Sequence, residues 1–541
     1  MIVVLLAALA ADITLTDVTL QTGLNFTHNT GAFGAKYLPE TMGPGCAFLD
    51  YNNDGHLDIL LVNGQDWPAR KKQRTTLKLF ANNGKGAFLD TTKQAGLDIE
   101  LYGMGLAVAD FDNDGYQDLY LTAVGQSRLF RNNRKGAFLD ITSASGLGNR
   151  EAFSTSALWF DYDRDGLLDL LVANYVRWSP DLDVRCSLDG KSKSYCTPEA
   201  YRGSTSWLFR NKGAGKFEDV TAKSGLFDPS SKALGVAILD VDNNGWPDLF
   251  VANDTQPNKL YRNLGNGKFE ESAVAYGVAF SEDGKARAGM GVDVVDWNRS
   301  GRMSIAVTNF DNEMIGLFTP KGKAFTDHAG PSGLGAATRD RLGFGCLFGD
   351  LNLDGHQDLI AANGHIDDTV RNAGRNTSHA QVPNLFLNNA KGQFTDIATQ
   401  VGQSFAQAKV ARGIALGDFD NDGDLDILLT TNGGPAYLYR TDSHTNNKSL
   451  HLKLEGKKSN RDAIGAIVKV HEPSGIQTQM VKSGSSYLSS SERALTFGLA
   501  QHPEAARIVI YWPSGQVDEH KQLKAGQSYV ITEGEPPRQG R

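Results

Sequence analysis

The sequence predicts an all-β protein, a seven-bladed β-propeller followed by a small β-rich, sandwich-like domain. Three observations predict it. A short acidic frame recurs along the chain, each copy sits between apolar β-type runs, and a separate signature ending in glycine closes each unit. Self-similarity at a period of tens of residues marks a repeat architecture, and four short strands per unit joined by Gly turns are the blades of a propeller.

The frame is clearest in "DFDNDGDLD", residues 418–426, which sets Asp418, Asp420, Asp422 and Asp426 around Gly423. Like charges this close are stable only if a cation neutralises them or water screens them. The D-x-[DN]-x-[DN]-G-x-x-D spacing puts oxygens at alternate positions of a tight turn, the Gly lets the backbone wrap, and hard oxygen donors of this kind suit Ca²⁺. The frame recurs with Asp50, Asn52, Asp54 and Asp58; with Asp110, Asp112, Asp114 and Asp118; and with Asp161, Asp163, Asp165 and Asp169. It returns with Asp240, Asp242, Asn244 and Asp248, and with Asp350, Asn352, Asp354 and Asp358. A seventh copy at 296–304 carries Ser300 and Ser304 where oxygen-rich ligands belong, so six calcium sites are expected and that frame is expected empty. An EF-hand would need a Glu at position twelve and flanking helices. Here position twelve is Leu61, Leu121, Val172, Val251, Ala361 or Leu429, inside a β-type run, so the loop joins two strands. His56 and His356 stand at position seven, where the usual ligand is a backbone carbonyl, and are not expected to bind metal through their rings.

Each unit reads as a Gly-rich apolar strand ("GMGLAVAD"), the acidic loop, a second strand, a third ("RLFRNN"), a Gly turn and a fourth ("AFLDITSASGL"). The seventh unit runs through "PAYLYR" at 435–440 and then lacks its fourth strand. "DITLTDVTLQTGL" at 12–24 carries the missing signature, with Asp17, Thr19 and Gly23 spaced as Asp219, Thr221 and Gly225 are. The ends of the repeat region are therefore expected to share one blade, which leaves no open sheet edge.

These loops resemble FG-GAP repeats of the kind found in integrin α-subunit propellers. "KYLPETMGPGCAFLDYNNDGHLDILLVNG" and "YCTPEAYRGSTSWLFRNKGAGKFEDVT" are similar to bacterial members of the cartilage acidic protein-like family. Beyond the repeats, "RDAIGAIVKV", "VKSGSSYLSSSERALTFGLA" and "VIYWPSGQ" resemble the ASPIC/UnbV domain, which follows the propeller in that family. The resemblance implies a binding or adhesion module for an extracellular protein or glycan. The organisation expected is a signal peptide at 1–11, the propeller at 12–440, the ASPIC/UnbV-like β domain at 445–533 and a disordered polar tail at 534–541.

The 541 residues bury a large core, and 59 glycines fit an all-β repeat protein. The formal charge of −8 records the acidic loops rather than a basic partner. No basic stripe interleaved with aromatics speaks for nucleic acid. The apolar "MIVVLLAALAAD" reads as a short secretion signal, and calcium sites fill most easily outside the cytosol, so a secreted, periplasmic or extracellular place is expected. Cys186 and Cys196 lie in a polar insertion of blade three, where a disulfide would staple a loop with little core of its own. Cys46 and Cys346 occupy one equivalent repeat position and read as small buried core residues.

For a ligand, propellers use one face around the channel mouth. Asn63, Asn174, Asn253, Asn309, Asn363 and Asn432, each following a second strand, mark a ring; they read either as turn chemistry or as a ligand face. "NGHIDD" brings Asn363, His365 and Asp367 together, as a catalytic or second metal site or as a solvated loop, and Arg177 with Trp178 read either as an aromatic platform or as packing of the insertion. No G-x-S-x-G elbow and no zinc spacing occurs, and no catalytic residue is assigned. The rival class is an enzyme on the same scaffold, a polysaccharide lyase or a quinoprotein-like dehydrogenase, since fold does not fix function.

Overall fold

A computed structural model describes residues 12–188, 190–371 and 376–540; the expected signal peptide at 1–11 lies outside them. Seven four-stranded antiparallel sheets follow one another, their first strands being Cys46–Leu49, Gly103–Ala109, Ala152–Phe160, Ala233–Leu239, Val292–Val295, Gly343–Gly349 and Ala411–Gly417. Each first strand packs against the next and the last packs against the first, which makes a closed ring with these strands innermost. Blades two and three are additionally joined where Ala152 and Phe153 pair with Gly125 and Val124.

The ring is closed by the N-terminus. Ile13–Asp17 pairs antiparallel with Tyr437–Ser443, so blade seven takes its outer strand from the start of the chain. The closing signature explains itself in the structure. Asp17 Oδ1 accepts the Thr19 N–H, and Thr19 Oγ1 accepts the N–H of Leu438 on the neighbouring strand. Asp90 with Thr92 does the same to Leu79, and Asp219 with Thr221 to Leu208. The signature glycine then turns with positive φ against the next blade. A Cβ on Gly96 would meet the Phe138 carbonyl at 2.9 Å, and one on Gly23 would meet that of Phe88 at 3.0 Å, so blade seven touches blade one as blade one touches blade two.

The C-terminal region is a sandwich of two four-stranded sheets. One orders Leu495–Gly498, Ser449–Glu455, Gln527–Thr532 and Arg538–Gln539; the other orders Gly475–Met480, Ile467–Glu472, Glu504–Tyr511 and Val517–Lys524. Alternation of apolar and polar residues buries Leu450, Leu452 and Leu454 on one side and Val468 and Val470 on the other sheet's inner side. The tail corrects the expectation of disorder. Within 534–541, Arg538–Gln539 pairs with Tyr529 and Val530, and Arg538 meets Glu455 at 2.8 Å, because the sheet edge offers it backbone partners that a polar composition does not reveal.

Cys186 and Cys196 form a disulfide with Cα atoms 5.2 Å apart, while Cys46 and Cys346 are free and buried in blades one and six. Among the described residues no helix is long and apolar enough to cross a membrane.

Candidate metal centres and the face that covers them

All seven acidic loops share one backbone. The residue at position four is left-handed in every copy, with φ of 57° at Asn53, 58° at Asn113, 57° at Arg164, 56° at Asn243, 55° at Arg299, 58° at Leu353 and 59° at Asn421. The frame glycine is also positive in φ throughout, from 77° at Gly301 to 97° at Gly423. The first Asp holds this turn. In each loop one of its oxygens accepts the N–H of position five and the other that of the glycine, as Asp110 does from Asp114 and Gly115 at 2.8 and 2.7 Å. Asp296 of the degenerate frame does the same with Ser300 and Gly301.

The ninth position has a second structural task. Asp118 is fully buried; its Oδ2 accepts the Phe111 N–H and its Oδ1 that of Asn132 on the third strand. Asp58, Asp169, Asp248, Asp358 and Asp426 are bonded in the same way. The third-strand Asn is a residue that the sequence reading passed over, although "RNN" and "LNN" displayed it. Asn132 donates to Gln117 O in its own loop and to Tyr51 O in the loop of the preceding blade. Asn82, Asn211, Asn263 and Asn388 make equivalent pairs of bonds, so side-chain amides stitch one blade's loop to the next.

Carboxylates converge at positions one, three and nine. In blades two, three, four and seven, ligand oxygens of Asp110, Asp112 and Asp118, of Asp161, Asp163 and Asp169, of Asp240, Asp242 and Asp248, and of Asp418, Asp420 and Asp426 lie within 4.8 Å of one another. Blades one and six have Asn52 and Asn352 at position three, where an amide oxygen replaces one carboxylate. The position-five carboxylates of blades two, three and seven are not among these convergent oxygens, while in blades one and six Asn52 and Asn352 donate to Asp54 and Asp354. Oδ1 of Asp54, Asp114, Asp165, Asn244, Asp354 and Asp422 accepts the N–H two residues on. Arg134 also pairs with Asp114 at 2.7 Å, and Arg210 with Asp165 at 3.1 Å.

The donor set fits a hard divalent cation. Burial, reinforced by the neighbouring carboxylates, pushes Asp58 up to about 8 and Asp161 and Asp248 up to about 7, although Arg210 pairs with Asp163 at 2.6 Å and Arg262 with Asp242 at 3.4 Å. Asp112 Oδ1 and Asp163 Oδ1 are buried and accept no hydrogen bond. An ion would meet both needs.

The C-terminal domain sits on this face. Asp462 Oδ2 accepts the Asp110 N–H at 2.7 Å, Glu492 Oε2 accepts that of Asp418 at 3.2 Å, and Arg164 donates to Pro513 O at 2.8 Å. Gly498 lies against Asp350, where a Cβ would come 2.0 Å from Oδ2. The Ser-rich stretch "SGSSYLSSS" then enters the propeller channel. Ser486 exchanges two backbone bonds with Val292, Leu488 O accepts the Leu106 N–H, and Ser490 bonds to Cys46 and Phe48. Tyr487 is fully buried against Phe344, with its hydroxyl on Met42 O. Gly45, Gly105, Gly345 and Gly413 leave room for this segment; a Cβ on Gly45 would meet Leu488 O at 1.9 Å. Lys482 anchors its entrance by pairing with the buried Asp293 of blade five.

The other sequence candidates resolve differently. The Asn ring is turn and loop structure: Asn63 donates to Thr27 O and Thr76 O, Asn174 to Thr205 O, Asn253 to Pro257 O, Asn309 to Met314 O and Asn432 to Glu40 O. Asn363 bonds to Val382 O and Asn384 Oδ1. His365 and Asp367 are both buried; the His365 ring accepts the Asp367 N–H and lies against Phe310, while Asp367 Oδ1 accepts from Thr369. Trp178 is no surface platform. It is buried between Tyr37 and Trp67 with ring centroids 5.3 Å away, its indole N–H on Asp183, because the disulfide loop needs an aromatic core; Arg177 beside it is exposed.

Fold and loops together define a repeat propeller with acidic turns, capped by a β-sandwich. FG-GAP-like repeats match at 50–121, 111–172, 189–251, 240–307 and 350–429, more than half of the chain, and the ASPIC and UnbV family matches at 456–538. Cartilage acidic protein 1 of Homo sapiens is 23% identical over 505 residues, covering 88% of this chain and 70% of that protein. Its Xenopus tropicalis counterpart is 24% identical over 503 residues, covering 88% and 71%. An Agrocybe aegerita lectin described as recognising non-reducing terminal N-acetylglucosamine superposes with a TM-score of 0.39 at 14% identity, covering 67% of this chain and 87% of that one. The chain belongs to the cartilage acidic protein-like family of FG-GAP-like repeat proteins with an ASPIC and UnbV domain.

Proposed function

We propose that this chain is an exported, calcium-loaded binding module that holds an extracellular protein or glycan on the propeller face opposite its C-terminal domain. The observation that carries the reading is the occupation of the other face and of the channel by the chain itself, through Glu492, Asp462 and Tyr487. What is left to a partner is the rim of inserted loops, including the one stapled by Cys186 and Cys196. That disulfide supports export, since such bonds persist in oxidising compartments. Calcium would be held by the carboxylates at positions one, three and nine, and by Asn52 and Asn352 at position three of their loops. It supplies charge neutralisation and rigidity rather than chemistry. The rival reading as a lyase or quinoprotein-like dehydrogenase gains nothing from the channel, which Tyr487 and Leu488 fill.

A glycan array and a pull-down from extracellular material, each run with calcium and with chelator, test the reading. Calcium-dependent capture that is weakened by substitutions on the loop rim, for example Arg177→Glu, and unchanged by substitutions on the C-terminal domain is the expected result. Turnover of a captured polysaccharide would replace the binding module with the enzyme.

A further inference from the structure

The first Asp of loops two and seven faces two ways. Its carboxylate belongs to the candidate metal cluster, and its backbone N–H in loops two and seven is the group that the C-terminal domain grips, through Asp462 and Glu492. Those grips are acidic. Asp462 approaches a loop already carrying Asp110, Asp112, Asp114 and Asp118, and Glu492 approaches Asp418, Asp420, Asp422 and Asp426. Arg493 at 3.0 Å from Asp462, Arg461 at 4.0 Å from Asp110 and His451 at 3.2 Å from Glu492 offset part of that repulsion. A divalent ion seated among the loop carboxylates offsets it at shorter range, on the loop side of the interface. The loops also fix the position of the gripped N–H groups. Glu492 lies two residues beyond Ser490, so whatever holds Glu492 holds the channel segment.

We propose that calcium seats the C-terminal domain: ion binding locks the segment 484–490 in the channel, and ion loss lets that segment withdraw and uncovers the acidic face. The inference rests on the calcium reading above and goes beyond it, because a purely stabilising ion would act on the whole propeller alike. Opening of this kind is local, drawn from the least stable part of the interface.

Hydrogen–deuterium exchange on the full chain, with calcium and with chelator, tests it, alongside native mass spectrometry to count ions. In calcium the N–H groups of Ser486 and Ser490 and that of Leu106, which donates to Leu488 O, exchange slowly. Chelation speeds them at least about tenfold while the inner strand of blade four, Ala233–Leu239, which makes no bond to the segment, keeps its protection. Glu492→Gln, which leaves every loop carboxylate in place, keeps the ion count and gives part of that acceleration in the presence of calcium. Bound ions with unchanged exchange at these amides overturn the seating and leave the calcium reading standing. Uniform acceleration of all blades overturns it too. Absence of bound ions sinks the calcium reading itself.

Discussion

The fifth and seventh acidic loops have the same backbone and different chemistry. Arg299 and Asn421 share φ values of 55° and 59°, and Asp296 and Asp418 hold the turn through the same pair of backbone N–H groups. Yet only loop seven brings three carboxylates together, because loop five has Asn298, Ser300 and Ser304 where loop seven has Asp420, Asp422 and Asp426. The loop shape is therefore made by one aspartate and one glycine, and the convergence of carboxylates is an added property of positions three and nine. Loop five uses its freedom differently. Arg299 reaches Glu472 of the C-terminal domain at 2.9 Å and donates to Gly355 O of the next loop, so a guanidinium tethers there what an ion would tether elsewhere.

The two blades also differ in continuity, and this gives the largest expected effect. Blade five draws all four strands from 292–327, whereas blade seven borrows Ile13–Asp17. Removing 12–24 should abolish the cooperative unfolding transition, since five register positions of Tyr437–Ser443 lose their partner; removing 534–541 should shift it far less. A truncated chain that melts at the full-length temperature would show that the ring does not need this strand.

Next in size is the ninth position. Asp426→Ala leaves the buried N–H groups of Phe419 and Thr441 without acceptors and should cost about 2–5 kcal/mol in chemical denaturation. Ser304→Ala in loop five should stay within about 0.5 kcal/mol. Equal costs would mean that position nine is not what separates the loops. The first position comes third: Asp296→Ala and Asp418→Ala should each cost about 1–2 kcal/mol through the lost turn bonds, but only Asp418→Ala should lower the ion count in native mass spectrometry. Smallest is position five. Asp422→Ala should weaken calcium binding less than Asp420→Ala, because Asp422 is tied to the Asp424 N–H outside the cluster; calorimetric titration that ranks them the other way would move position five into the site.

The repeat was legible in the sequence because each element of it is local. Acid, glycine and strand recur at fixed spacing, and even the closure of the ring could be read from Asp17, Thr19 and Gly23, since the same three residues do the same bonding elsewhere. The channel segment was not legible. Ser483 to Ser491 has no periodicity and no ligand chemistry, and its meaning lies in glycines some hundreds of residues away that a Cβ would clash with. Trp178 stayed open between platform and packing for a related reason: an aromatic residue in a polar insertion cannot be placed until the insertion is seen to wrap around it. The tail was misjudged because edge pairing is decided by the partner strand, not by composition.

The join between Ile13–Asp17 and Tyr437–Ser443 has a consequence for the order of assembly. The first described strand waits for a partner made more than four hundred residues later, so the ring cannot close until Tyr437–Ser443 has been made, and until then Ile13–Asp17 stands unpaired. The channel segment is made later still, and Tyr487 ends fully enclosed. A segment made after every strand of the ring thus becomes one of the innermost parts of the molecule.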